Sequence, residues 1–262
     1  MTELGAAIYG LVQGLTEFLP VSSSGHLALY DALAGGAGKD RLALSVLVHV
    51  ASLGAVLIVF RREVLRLFGA DRRLGVYICI ATAPAIAAGL LCGDVVENVA
   101  RDPVAVALFL MATGLMLIGG EAAARRRREA SGTEQKMGLW QVLAVGVAQA
   151  LALLPGISRS GMTISAGRSL GLSRDASVRF AFLLAVPAII AAGGYEGLKL
   201  LSGRCEAGVG LLPALVAFAV ALVSSWIALV VLIRIVRRAG LWVFSPYCFA
   251  VGIAALVHFA WR

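Results

Sequence analysis

The sequence predicts an all-α polytopic membrane protein. It is read as an inverted repeat of two halves, each one re-entrant helical hairpin plus three transmembrane helices. Three observations carry this. Of 262 residues, 60% are hydrophobic and 15% charged, with a mean hydropathy of +0.91; a soluble domain averages about 45–50% apolar and about 25% charged. Six apolar stretches approach the roughly 20 residues that a bilayer-spanning helix needs. Polar residues also recur at one offset: Gln13 and Gln149, Ser22 and Ser158, Ser24 and Ser160, and Gly25 and Gly161 are each 136 apart. The composition excludes a soluble domain, a disordered chain and a collagen-like repeat. Residues 1–262 form a single integral membrane domain, with repeat 1 at about 1–125 and repeat 2 at about 137–262.

In chain order, residues 4–19 are apolar but stop at Pro20, followed by Val21-Ser22-Ser23-Ser24-Gly25-His26. Proline ends a helix, and loop backbone inside hydrocarbon is tolerated only where protein or a water-filled cavity surrounds it. This predicts a helix, a break and a short returning helix. Spans follow at roughly 42–60, 74–92 and 104–120. The stretch 139–154 then runs into Pro155-Gly156-Ile157-Ser158-Arg159-Ser160-Gly161, a second interrupted hairpin, and spans follow at 178–200, 211–235 and 241–261. An odd number of spans per half turns the second half over. In such proteins the site lies near the midplane, built from broken helices.

Net charge is +8. Its distribution fits membrane topology better than nucleic-acid binding. Sixteen basic residues, including Arg127 and Arg128, lie in or beside 61–73, 121–138, 168–179 and 236–240; the alternate loops and termini hold six, namely Lys39, Arg41, Arg101, Lys199, Arg204 and Arg262. Positive charge stays inside, so the first set is expected in the cytoplasm and both termini outside. No removable leader is expected, since Glu3 stands where a basic segment would precede the apolar run. Cys79, Cys92, Cys205 and Cys248 form no CxxC pair and read as packing residues.

Ionisable groups within membrane segments are functional candidates by default. Glu17, His26 and Arg159 are the three here. Gln13 and Glu17, four apart, share one helix face, just before the Ser-rich loop. Arg159 lies between Ser158 and Ser160 with Gly161 following and Thr163 one turn on. Guanidinium, hydroxyls and a helix N-terminus suit a phosphate. A carboxylate capping a helix, or an Arg–Glu pair serving structure alone, is the plainer alternative. His49, mid-span and one turn before Ser52, reads equally as a hydrogen-bonded packing residue or a site residue, His258 reads as a packing residue, and no His/Asp/Glu cluster has zinc spacing. From these residues the chain handles a phosphate headgroup on an apolar tail, as hydrolase or carrier. A pure carrier has less need of a hydroxyl beside a Glu and a His.

These motifs resemble the undecaprenyl-diphosphate phosphatases, or bacitracin-resistance proteins. The run from Gln13 to His26 is similar to that family's (E/Q)-x-x-x-E and P-V-S-S-x-G-H segments, and Pro155 to Thr163 to its P-G-x-S-R-S-x-x-T signature. Gly171 to Asp175 and Phe180 to Pro187 also match, so the resemblance covers essentially the whole chain. Ser24 stands where Thr is common, and Val50-Ala51-Ser52 replaces a frequent Leu-Gly-Thr after His49, which is therefore given no catalytic role. The resemblance implies two interdigitated inverted repeats in a bacterial inner membrane. It implies hydrolysis of undecaprenyl diphosphate to the monophosphate carrier lipid of cell-wall synthesis, and bacitracin resistance. It also implies a divalent cation, Mg²⁺ or Ca²⁺.

The catalytic set expected on these grounds is Glu17, Ser23, His26 and Arg159, with Ser22, Ser24, Ser158, Ser160 and Thr163 binding phosphate. Gln13 and Glu17 are the candidate metal ligands. Ser23 is the best candidate nucleophile, with water as the alternative. Either Glu17 or His26 would be the base. The expected partners are the polyprenyl lipid and membrane lipids, with no nucleic acid; a homodimer is compatible with the sequence.

Overall fold

In the computed structural model, residues 2–34, 41–126, 132–201 and 209–261 are described. Lys39, Arg127, Arg128, Arg204, Cys205 and Arg262 lie outside them. The first half contains α1 (Glu3–Phe18), α2 (Ser23–Leu33), α3 (Arg41–Val59), α4 (Arg61–Leu67), α5 (Arg72–Leu91), α6 (Gly93–Arg101) and α7 (Pro103–Arg126). The second contains α8 (Leu139–Leu151), α9 (Arg159–Ser169), α10 (Arg174–Leu201), α11 (Leu211–Arg238) and α12 (Ser245–Ala260). Six segments are long and apolar enough to cross a membrane: Leu42–Val59, Arg72–Leu91, Pro103–Arg126, Arg174–Leu198, Leu211–Arg238 and Leu241–Ala260. The protein is thus a multi-pass, all-α membrane protein, with spans where hydropathy predicts them. The short helices α4 and α6 fall in stretches expected as plain loops.

Both hairpins break where the sequence demands. Leu19 precedes Pro20 and is pushed out of the helical region to ψ 143°. The chain turns through Ser22 at φ 68°, a left-handed conformation costly for a non-glycine residue. The Ser22 side chain offsets that cost: its Oγ accepts from Gly25 N (3.3 Å), capping α2, and from Gly156 N (3.1 Å) in the other hairpin. In the second break Ser158 caps α9 by accepting from Gly161 N (3.2 Å). Thr113 on α7 donates to Gly156 O (2.7 Å) and accepts from Ser158 N (3.0 Å). Backbone groups of Gly25, Gly156, Ser158 and Gly161 at the two breaks thus find protein partners, as burial in a membrane requires.

Each hairpin packs most closely against a helix of the other half, α1 on α11 and α8 on α5. Small residues permit it. A Cβ on Gly14 would stand 2.0 Å from Ser224 Oγ, one on Gly10 2.5 Å from Ala217 O, and one on Gly146 2.6 Å from Ala81 O. Such close backbone approach is the usual packing currency between helices in lipid. The opposite stripe of α1, Leu4, Ile8, Leu11 and Leu15, is exposed and apolar, as a lipid-facing surface must be. At the basic end, buried Glu121 pairs with Arg174 (3.0 Å) and buried Glu134 with Arg179 (3.2 Å), tying α7 and the 132–138 segment to α10.

Candidate active site

The two hairpin tips meet. Ser160 Oγ donates to Leu19 O (3.3 Å), and Ser22 bridges to Gly156 as above. The contact brings Glu17, in the last turn of α1, against Arg159, the first residue of α9. Glu17 is buried, with 4% of its side chain exposed. Its Oε1 pairs with the Arg159 guanidinium. Its Oε2 accepts from Ser23 Oγ at 2.6 Å and from Gln13 Nε2 at 2.9 Å. The structural Arg–Glu pair considered above therefore forms, but the same carboxylate also holds a serine hydroxyl. Ser23 is half-buried and opens α2, so its oxygen sits at a helix N-terminus, where anions are favoured. Arg159 keeps 22% of its side chain exposed, leaving guanidinium edges free for a ligand.

The expected residues divide into two sets. Ser23, Glu17, Gln13 and Arg159 form one connected group. Ser22, Ser158 and Thr163 are buried at 4%, 1% and 2% exposure. The hydroxyls of Ser22 and Ser158 are spent on the backbone contacts described above, and that of Thr163 donates to Arg159 O (2.8 Å). They hold the tips from behind. Ser24 is exposed beside Ser23. Ser160, 6% exposed, lies between, its Oγ 3.2 Å from that of Ser158.

His26 is turned away from this group. Its Nδ1 bonds Ser22 O (2.8 Å) and its Nε2 bonds the Tyr247 hydroxyl (2.9 Å), with the two rings stacked at 5.6 Å. A carbonyl can only accept, so Nδ1 carries the proton and Nε2 accepts from the tyrosine. Both ring nitrogens are engaged, which favours Glu17 over His26 as the group that takes the Ser23 proton. From His26 a groove of about 420 Å³ runs between α1, α2 and α12, lined by Val12, Leu29, Tyr30, Val251 and Phe259.

Sequence reasoning missed Thr113 and Tyr247, and left His49 open between packing and site without giving it a role. His49 Nε2 lies 3.8 Å from Glu17 Oε2, so α3 brings a second basic side chain to the carboxylate. Thr113 and Tyr247 carried no signal, being ordinary residues within apolar spans. His49 carried one: it is an ionisable group in mid-span.

The donor set does not make a resident metal site. Both Glu17 oxygens are engaged, one by a cation, and among the described residues no group of three or more His, Cys, Asp or Glu could hold an ion. The one spare oxygen is Gln13 Oε1, which is buried without a partner.

Comparison with known proteins gives the family. The family described as Bacitracin resistance protein BacA matches residues 6–254. An undecaprenyl-diphosphatase 1 of Shouchella clausii is 38% identical over 98% of this chain and 96% of its own length. Undecaprenyl-diphosphatases of Rubrobacter xylanophilus and Rhodopirellula baltica are each 40% identical, over 97% and 95% of this chain and 96% and 95% of their own. With a family match over nearly the whole chain and relatives of 38–40% identity, the chain belongs to the bacitracin resistance protein BacA family.

Proposed function

We propose that this chain hydrolyses undecaprenyl diphosphate to undecaprenyl phosphate and inorganic phosphate in the bacterial inner membrane. It thereby recycles the carrier lipid of cell-wall synthesis. The observation that carries the reading is the Ser23 Oγ–Glu17 Oε2 hydrogen bond, 2.6 Å, on a carboxylate paired with Arg159. A hydroxyl in that position is a nucleophile with its base attached.

In the reaction Ser23 gives its proton to Glu17 as Oγ bonds to the terminal phosphorus. The bridging P–O bond breaks and undecaprenyl phosphate leaves. Water then attacks the phosphoserine, the P–Oγ bond breaks, and Ser23 recovers its proton from Glu17. Arg159 neutralises the charge that builds on the phosphoryl oxygens, the main requirement of phosphoryl transfer. Ser24, Ser160 and the N–H groups opening α2 and α9 complete the phosphate cradle, with Ser22, Ser158 and Thr163 behind it. The groove beginning at His26 takes the first isoprene units, and the leaving phosphate lies beside His26 at its mouth. A Mg²⁺ or Ca²⁺ ion accompanying the diphosphate would neutralise its charge, and Gln13 Oε1, buried without a partner, would be the oxygen available to hold it.

The two halves are read as inverted, with the basic loops cytoplasmic and both termini outside. This places the first hairpin's entrance on the outer side. The oligomer, if one forms, is a homodimer. Purified protein in detergent should release phosphate from a C55 diphosphate, and Ser23→Ala should lower turnover by several orders of magnitude. Wild type that binds or moves the lipid without releasing phosphate would make the chain a carrier instead.

A further inference from the structure

His49 stands apart from every residue assigned so far. It lies on α3, which packs against α1, α10 and α11. Its Nδ1 bonds Ser45 O, one turn back, at 2.8 Å. The carbonyl can only accept, so Nδ1 carries a proton and the ring is held with Nε2 3.8 Å from Glu17 Oε2, where it offers a donor in the imidazolium form. An ionised carboxylate offers about four lone-pair sites. Three are filled by Arg159, Gln13 and Ser23. His49 lies outside these hydrogen bonds, 3.8 Å from the doubly hydrogen-bonded Oε2, and its imidazolium form would act on the carboxylate through charge.

The proposed reaction disturbs this balance. A guanidinium drawn to the substrate's diphosphate shares its donors between phosphate and Glu17. A buried carboxylate that loses part of its partner is costly and will shift toward any remaining donor. Glu17 must nevertheless keep Oε2 on Ser23, because a near-attack geometry tolerates little misplacement. Gln13 lies on the same helix as Glu17 and holds it from one side only. His49 approaches it from another helix, at 3.8 Å.

We propose that His49 is a positioning residue, which steadies the Glu17 carboxylate against Ser23 when Arg159 turns to the phosphate. The proposal rests on Glu17 being the base of the proposed reaction. His49 touches neither the nucleophile nor the phosphorus; it acts through Glu17. Its effect should therefore fall on turnover and leave substrate binding, which belongs to Arg159 and the groove, nearly untouched.

The test compares wild type, His49→Leu and His49→Gln, purified in detergent, in steady-state phosphate release from a C55 diphosphate. Glu17→Gln serves as the base-less reference, and melting temperature as the folding control. Expected is a 30- to 100-fold fall in kcat for His49→Leu with KM within threefold of wild type. His49→Gln, whose amide can still bond the carboxylate, should recover to within fivefold. His49→Leu turning over within threefold of wild type overturns the proposal. So does His49→Gln as impaired as His49→Leu with activity restored by added imidazole, which would make the ring a proton carrier. If His49→Leu fails to fold, the His49→Gln kinetics and the imidazole response still decide. A wild type that releases no phosphate, or a Glu17→Gln variant as active as wild type, would instead sink the reading of the site on which His49 depends.

Discussion

At the scale of single residues, Arg159 and the serines differ in what their removal would expose. A lysine at Arg159 keeps the charge but loses the planar fork that grips carboxylate and phosphate together. Arg159→Lys should therefore lose about 10²–10³ in turnover, the usual cost of one transition-state donor. Phosphate release within tenfold of wild type would contradict the clamp. The three adjacent serines should separate into kinds. Ser23→Ala removes the nucleophile. Ser22→Ala removes the acceptor of two backbone N–H groups, at Gly25 and Gly156, each left buried. A buried donor without a partner costs about 1–3 kcal/mol, so Ser22→Ala should show a lower melting temperature and only a secondary loss of activity. Equal turnover losses for the two at unchanged stability would mean that the assignment among the serines is wrong. Their adjacency explains why sequence alone could not make it: a turn at φ 68° gives Ser22 to the second hairpin and Ser23 to Glu17, and no spacing rule encodes that turn.

At the scale of elements, two close approaches carry the site. Gly14 lets α1 lie on α11, and that contact fixes the face from which Gln13 and Glu17 project. Gly156, at φ +100°, lets the second tip pass α7; a Cβ there would stand 2.6 Å from Val106 O and from Phe109 Cβ. Gly156→Ala would combine an unfavourable backbone conformation with a clash against main chain that cannot swing aside. Overpacking typically costs about 1–3 kcal/mol. Gly156→Ala and Gly14→Val should both lower the detergent melting temperature and cut phosphate release at least tenfold. The control is Gly119→Ala, where a Cβ meets nothing within 4 Å, and it should behave as wild type. Activity retained in Gly156→Ala would show that the tips need not meet. The predicted hairpins and spans were legible because proline and hydropathy act locally. The short helix α6 was not, because Gly93–Arg101 lies between two spans as a polar, amphipathic piece with no residue among its buried ones.

At the scale of the whole molecule, the asymmetry of basic residues sets the expected orientation. Single cysteines in a background lacking the native ones should report it. Asn98→Cys, on exposed α6, should react from outside with a membrane-impermeant thiol reagent. Gly69→Cys and Lys136→Cys, both exposed at the basic end, should react only after permeabilisation. The opposite pattern would reverse the sides, and labelling of all three from outside would break the count of spans.

What the sequence determined by itself is the membrane class, the six spans, the two proline-broken hairpins and the two motifs. All of these follow from interactions within one stretch of chain: apolar length, the proline ring, a glycine or serine at a break. The tertiary structure decided which of these residues meet. Glu17 and Arg159 are 142 positions apart and pair because small residues let α1 sink against α11 and α8 against α5. The same packing turned His26 to Tyr247, spent Ser22 on the opposite hairpin, and set His49 beside the carboxylate. Helical periodicity records which face of a helix is buried. It does not record which face of which other helix is found there, and the partners of Glu17 on α3 and α9 are determined at that level.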